Sequence, residues 1–257
     1  MLFIHNVTKE FGGLRAIYNL SFQVQERQIK ALIGPNGAGK TTLLNLVSGL
    51  DKVTVGKVLF EGNDLTKLRP HEICRKGVGR TFQIPHLFSQ MGLVENVKVG
   101  CFCRTTSGFL RLALHSEFTM KEEADVESKS NDILQFLGFA PADRRVAREL
   151  SGGDQKLLEI ARALGTSPKL LLLDEPGAGL NSLEKQRLAG TIRKLRDEWG
   201  MTILIVEHDV ALVMSLSDEI VVLNYGEKIA EGSPEEIQND HKVIKAYLGR
   251  KSENSLC

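Results

Sequence analysis

The sequence has almost no charge imbalance: 33 lysines and arginines stand against 32 aspartates and glutamates, a net charge of +1 over 257 residues. A near-neutral chain has no field that draws it to a phosphate backbone, so nucleic acid is not an expected partner. Long apolar runs are lacking too. Stretches such as Leu170 to Leu173 and Ile203 to Val206 are strand-sized, far short of the roughly 20 residues of a membrane-spanning helix. Cysteine is sparse: of Cys74, Cys101, Cys103 and Cys257 only Cys101 and Cys103 are close, with no second pair or histidine set at zinc spacing. That argues against a disulfide framework or a zinc module and leaves free thiols. The opening Met1-Leu2-Phe3-Ile4-His5 shows no basic region, long apolar region or small-residue cleavage site, so a cytosolic chain is expected. No internal repeat or low-complexity tract is evident.

What remains is an ordinary globular composition, 42% hydrophobic and 25% charged, long enough for one core or a core with a subdomain attached. Residues Gly34-Pro35-Asn36-Gly37-Ala38-Gly39-Lys40-Thr41-Thr42 fit the phosphate-loop pattern G-x-x-x-x-G-K-[ST]. A bare match can be no more than a glycine-rich strand-to-helix turn. Here Ile29 to Ile33 reads as a short buried strand before it, and Leu43, Leu44, Leu46 and Val47 give a helical apolar face after it. Small residues let backbone N–H groups close on phosphate oxygens while the helix aims its positive dipole end at them. Lys40 is then expected to reach the β- and γ-phosphates of a nucleotide, and Thr41 its magnesium.

Three zones follow along the chain. Residues 1 to about 82 mix short strands (Leu2 to Val7, Leu20 to Val24, Lys57 to Phe60) with the loop and its helix. The stretch from about 84 to 164 reads as helical, with Ile133, Leu134 and Leu137 in one repeat (Lys121 to Gly138) and Leu157, Ala161 and Leu164 in another (Asp154 to Leu164). From Pro168, strand and helix alternate: Leu170 to Asp174, a helix with Leu188, Ile192 and Leu195, then Thr202 to Glu207. Such alternation predicts a mostly parallel sheet flanked by helices, with ligands at the carboxyl ends of its strands. The polar stretch Arg250 to Cys257 is expected to be a mobile tail.

Two further segments carry chemistry. Leu170-Leu171-Leu172-Leu173-Asp174-Glu175-Pro176 is a strand buried on both faces that ends in two carboxylates. Alone this is a solvated acidic turn; beside a phosphate loop, Asp174 is placed to hold magnesium and Glu175 to polarise the water that attacks the γ-phosphate. In Leu150-Ser151-Gly152-Gly153-Asp154-Gln155, Ser151 can cap a helix while Gly152 and Gly153 leave N–H groups open, a second anion site at a helix N-terminus. Two separate phosphate sites in one chain suggest a dimer whose members complete each other's nucleotide pockets.

Taken in order, the phosphate loop, Gln83 in Gly79-Arg80-Thr81-Phe82-Gln83, the segment from Leu150, the run to Glu175 and His208 in Val206-Glu207-His208-Asp209 resemble the ATP-binding-cassette ATPases along nearly the whole chain. That resemblance implies an α/β fold of the P-loop NTPase type: a mostly parallel core (about 1–83 and 165–257), an antiparallel β part and an inserted helical subdomain (about 84–164) in one ATP-binding domain. It implies that Gln83 senses magnesium and the attacking water, that His208 holds the γ-phosphate, that Phe11 stacks on adenine, and that Ser151, Gly152 and Gly153 meet the partner chain's ATP. MgATP is the implied ligand, hydrolysed by a dimer of cassettes under membrane permease subunits. A substrate-binding protein, periplasmic or extracellular, would act indirectly, and the cassettes would lie on the cytoplasmic face of the inner membrane.

A narrower resemblance is to the ATP-binding subunits of branched-chain amino-acid importers. It rests on Gly77 to Gly100, Leu158 to Leu164, Gly177 to Glu184, Glu231 to Ile237, Ala246 to Arg250 and the long stretch Cys101 to Lys129. It implies that Pro85-His86-Leu87-Phe88 contacts the membrane subunit, and Asn181 fits the subgroup where many cassettes carry Asp. Asp154 departs from the usual Gln or Glu of the signature, which puts its coupling to the partner's nucleotide in question. The competing readings are a cassette for urea or short amides, a lipopolysaccharide exporter, a non-transport cassette acting in DNA repair or on ribosomes, and a nucleotide sensor without turnover.

Overall fold

The structure, a computed structural model, describes residues 1–104, 117–141 and 143–253. Its strands form two sheets. The first is antiparallel in the order β2-β1-β4-β5, from β1 (Leu2–Phe11), β2 (Leu14–Val24), β4 (Val55–Phe60) and β5 (Asn63–Asp64). The second runs β10-β9-β3-β8-β7-β6, from β3 (Ile29–Ile33), β6 (Val78–Arg80), β7 (Leu170–Asp174), β8 (Thr202–Val206), β9 (Glu219–Asn224) and β10 (Glu227–Gly232). Its members pair in parallel except for the terminal β9–β10 hairpin.

The central strands Ile29–Ile33, Leu170–Asp174 and Thr202–Val206 are buried at every residue, as strands covered on both faces must be. Their period of two divides the core. Ile29, Ala31, Ile33, Leu171, Leu173, Ile203 and Ile205 join one cluster with helix residues such as Leu158, Leu164, Ile192 and Leu195. Leu32, Leu170, Leu172, Leu204 and Val206 join the other, against α1 (Lys40–Ser48) and the antiparallel sheet residues Leu2, Ile4 and Leu20. The six-stranded sheet is thus sandwiched between helices and a second sheet.

Between β6 and β7 the elements among the described residues are helical, joined by irregular segments: α3 (Leu93–Cys101), a short 3₁₀ turn (Phe102–Arg104), α4 (Glu117–Phe136), a second turn (Ala147–Glu149) and α5 (Gly152–Gly165). Helices α2 (Pro70–Arg75), α6 (Ser182–Trp199), α7 (Val210–Leu216), α8 (Pro234–Asn239) and α9 (His241–Glu253) complete the described chain.

Several boundaries differ from the sequence reading. β1 runs on to Phe11 and β2 starts at Leu14, because the residues between Thr8 and Asn19 form the paired end of a hairpin that turns at Gly12-Gly13. The helix expected over Lys121 to Gly138 spans Glu117–Phe136 and stops where Gly138 turns to φ 86°. The one expected over Asp154 to Leu164 starts at Gly152. Strand β8 ends at Val206, leaving Glu207 beyond it. Strands β5, β6, β9 and β10 have no counterpart in the sequence reading. Helix α9 continues to Glu253, so only residues 254–257 of the expected tail, with Cys257, lie outside the described residues. Part of the stretch Cys101 to Lys129 falls outside them too.

Candidate nucleotide site

Strands β3, β8, β7 and β6 are parallel neighbours, so their carboxyl ends share one rim. The segments leaving that rim carry the phosphate loop, His208, Glu175 and Gln83. They line a cleft of about 890 Å³ together with Phe11, Leu14, Arg15, Ala16, Asn36, Gly37, Gly39, Lys40, Thr41, Thr42 and Tyr225. This is the carboxyl-edge position at which open α/β sheets bind ligands.

Two of the loop's glycines are forced by contact. At Gly34, φ is 150° and a Cβ would lie 2.1 Å from the Leu223 carbonyl oxygen; at Gly39, φ is 101° and a Cβ would lie 2.7 Å from that of Ala16. Helix α1 begins at Lys40 without a side-chain cap, and with Lys40, Thr41 and Thr42 on the cleft the positive end of its dipole lies where an anion is favoured. The Lys40 ammonium is nearly buried and donates to the carbonyls of Gly34 (2.8 Å) and Pro35 (3.0 Å). Pro35 and Ala38 close the loop through an Ala38 N–H to Pro35 carbonyl bond of 3.1 Å. On the far side, Tyr247 of α9 accepts a hydrogen bond from the Gly34 N–H, while burial raises its phenol pKa.

At the end of β7, Asp174 is 2% exposed and one carboxylate oxygen takes Arg80 at 3.1 Å. Burial raises its pKa, against the pull of that guanidinium. Its other oxygen, Oδ1, is buried with no protein partner among the described residues, which suits a metal ion or its water. Glu175 follows with φ 49°, an uncommon conformation for a side-chain-bearing residue. Its N–H bonds Val206 (2.9 Å), while Oε2 accepts from Gln83 Nε2 (2.8 Å) and Oε1 meets His208 Nε2 (2.6 Å). Beneath them Glu207 is buried, its pKa raised by burial and held back by N–H bonds from Gly177, His208 and Asp209.

The sequence-predicted residues therefore divide. Gln83, Glu175 and His208 meet in direct contact, and Phe11 lies on the same cleft, 45% exposed, with the Lys9 ammonium over its ring at 4.4 Å. Ser151, Gly152 and Gly153 are not among its lining. Ser151 caps α5, accepting the Asp154 N–H at 3.1 Å, and space beside Gly152 is open. Asp154 turns its carboxylate to Arg187 (2.8 Å) and Arg145 (3.9 Å) of its own chain. Arg80, Lys156, Glu159, Glu207 and Tyr225 went unassigned in the sequence. Arg80 sat inside a quoted motif, but nothing in sequence separates a buried arginine from an exposed one.

Fold and cleft together define a P-loop protein built to bind a nucleotide at the edge of a parallel sheet. Residues 17–178 match the family model described as ABC transporter, and residues 227–252 match one described as branched-chain amino acid ATP-binding cassette transporter. The chain belongs to the ABC transporter ATPases. It is 41% identical over 249 residues, 97% of this chain and 98% of the relative, to the high-affinity branched-chain amino acid transport ATP-binding protein BraF of Pseudomonas aeruginosa. The relative of similar description, LivG, of Escherichia coli is 40% identical with the same coverage. Among solved structures, the ADP conformation of an ATP-binding cassette of an ABC transporter superposes with a TM-score of 0.85 at 36% identity, covering 97% of this chain and 98% of that one. A dimeric bacterial ABC transporter cassette gives 0.77 at 26% identity, covering 91% and 99%. No helix of the described residues is long and apolar enough to cross a membrane.

Proposed function

We propose that this chain binds and hydrolyses MgATP as the cassette subunit of a branched-chain amino-acid importer, paired with a second cassette beneath membrane permease subunits. The observation that carries the hydrolytic part is the contact of Glu175 with both Gln83 and His208 on the cleft that holds the phosphate loop.

In this reading Lys40 leaves the loop carbonyls for the β- and γ-phosphates, and the N–H groups of residues 36–42 cradle them. Thr41, Asp174 and Gln83 would hold the magnesium, which neutralises phosphate charge. The attacking water gives its proton to Glu175 as its oxygen bonds the γ-phosphorus and ADP departs; His208 steadies the γ-phosphoryl oxygens. Phe11 stacks on adenine. Ser151, Gly152 and Gly153 serve the nucleotide of the other cassette, which accounts for their place outside the cleft. Residues 84–164 act as a helical subdomain, and Pro85 to Phe88 meet the permease. The cargo reading is supported by the C-terminal family match and by the named relatives. A peripheral position on the cytoplasmic face of the membrane follows from that assembly.

Glu175→Gln tests the reading. It is expected to bind ATP, to lose turnover by about 10²-fold or more, and to accumulate an ATP-dependent dimer in light scattering. Wild-type turnover in the variant would remove Glu175 as the base.

A further inference from the structure

Helix α5, which starts at the Ser151 cap, carries a stripe of charged residues at spacings of three: Lys156, Glu159 and Arg162. Residues so spaced lie on one face. A stripe of this kind on a surface helix faces water, yet Lys156 is 7% and Glu159 2% exposed. All three grip the backbone of one segment. Glu159 Oε1 accepts the Phe82 N–H at 2.9 Å, Lys156 Nζ donates to the Gln83 carbonyl at 2.6 Å, and Arg162 donates to the His86 carbonyl. The gripped segment supplies Gln83, whose side chain donates to Glu175 at 2.8 Å.

Burying charges is costly unless they are hydrogen-bonded, and here burial pushes the Lys156 pKa down and the Glu159 pKa up. A helix that needed only to pack could carry apolar residues at both positions. Backbone targets also have a consequence: the grip fixes where the Phe82–Gln83 peptide sits relative to α5, whatever the side chains of 82 to 86 contact. The same helix presents Ser151 and Gly153 one and a half turns earlier. Any displacement of its N-terminus therefore moves the peptide that bears Gln83, and with it the Gln83–Glu175 contact.

We propose that Lys156 and Glu159 are positioning residues that tie Gln83 to the signature-bearing helix, so that capture of the partner's nucleotide at Ser151 and Gly153 sets the geometry of Glu175 in this chain's own site. The proposal rests on the function given above. It makes each site's hydrolysis depend on occupancy of the other through two buried side chains that touch neither nucleotide.

The test uses the purified full chain with ATP binding, turnover and cooperativity measured separately. In the double variant Lys156→Met/Glu159→Leu, apolar side chains replace both charges, which avoids stranding one of them. ATP affinity is expected to stay within about twofold of wild type, while kcat falls about tenfold, the scale of losing charge-assisted hydrogen bonds. The Hill coefficient for ATP should fall from above 1 to about 1. Glu159→Gln, which keeps the acceptor oxygen, and Lys156→Arg, which keeps a cationic donor, should restore both. A double variant with wild-type kcat and cooperativity overturns the proposal, as does a wild-type Hill coefficient of 1. Should the double variant not fold, amide exchange in the wild-type chain decides. Protection of residues 82–84 should rise with that of 151–156 when ATP is added, and independent behaviour overturns the tie. A wild-type chain that hydrolyses no ATP at all sinks the underlying function instead.

Discussion

Replacing Arg80 by methionine isolates the electrostatics of a deeply buried carboxylate of the site, Asp174. Arg80 joins Asp174 (3.1 Å) to the Ser48 hydroxyl at the end of α1 (2.7 Å), with side chains 7% and 2% exposed for the pair. Methionine fills most of the volume but leaves Asp174 without its bonded cation, its Oδ1 already unpartnered among the described residues. Removing one partner of a buried pair costs about 3–5 kcal/mol, and at roughly 2–4 °C per kcal/mol for a chain of this size the melting point should drop by about 6–20 °C. The loss has a defined pH dependence. Burial raises the Asp174 pKa above its ordinary 3.8 despite Arg80, so the folded state holds that proton more tightly than the unfolded chain. Stability linked to the group is then lost as pH rises from 3.8 through the folded value. Without Arg80 the folded value climbs further and the window widens. Calorimetric melts of wild type and variant at about pH 8 and about pH 5.5 should therefore diverge more at the higher pH. A deficit under about 1 kcal/mol, or one that does not change with pH, would refute the reasoning.

Two other substitutions probe the scaffold. Gly34→Ala places a methyl 2.1 Å from the Leu223 carbonyl at a φ of 150°; it should cost about 3 kcal/mol in denaturant unfolding and abolish ATP binding, and an unshifted midpoint would contradict the close approach of loop and β9. Lys30→Met removes a fully buried ammonium bonded to Glu231 (2.6 Å) and Glu219 (2.9 Å), both partly exposed. A loss of about 1–3 kcal/mol is expected at neutral pH. Burial pushes Glu231 up, but Lys228 and Lys30 outweigh it and hold the pKa below the ordinary 4.5. The stability that this adds is present above 4.5 and lost as pH falls through the lowered folded value, so the gap between variant and wild type should close on acidification.

The sequence made the chemistry easier to read than the geometry. Strands β3 and β7 are legible to the residue because an apolar run interrupted only by Lys30 ends at a glycine loop and an unbroken leucine run ends at an acidic pair. The β1–β2 hairpin reads short, since Lys9-Glu10 and the exposed Gly12-Gly13 turn break the apolar pattern until the register is known. Gln83, Glu175 and His208 were recognised as separate motifs. Their contact depends on β6, β7 and β8 being neighbours in the sheet, across separations of 92 and 33 residues, and strand order is not written in any local pattern. Lys156 and Glu159 were invisible for a different reason. A charge buried against a backbone carbonyl or N–H has the same letter as one in water, and the sequence of helix α5 speaks only through its Ser-Gly-Gly start and its apolar face.

The site's buried charges are each held by protein groups, and this bears on how it can act. Lys40 rests on two loop carbonyls, Asp174 on Arg80, Lys156 on the Gln83 carbonyl and Glu159 on the Phe82 N–H. Such pairing keeps the cleft ordered in the absence of nucleotide, since an unpaired buried charge would be far more costly. Glu175 is the exception in its backbone: the left-handed φ costs of order 1 kcal/mol and is held by its N–H bond to Val206 and by the Ala178 N–H on its carbonyl. Following a strand that would otherwise alternate its side chains between the two cores, this turn brings the Glu175 carboxylate between Gln83 and His208. Strain at that residue therefore serves orientation, and the two contacts it secures belong to different strands' loops. One of these loops is gripped by α5. Under the proposal above, a movement that separates Gln83 from Glu175 breaks none of the bonds that Lys40 makes to the phosphate-loop carbonyls, so hydrolysis would respond to that helix more than binding does.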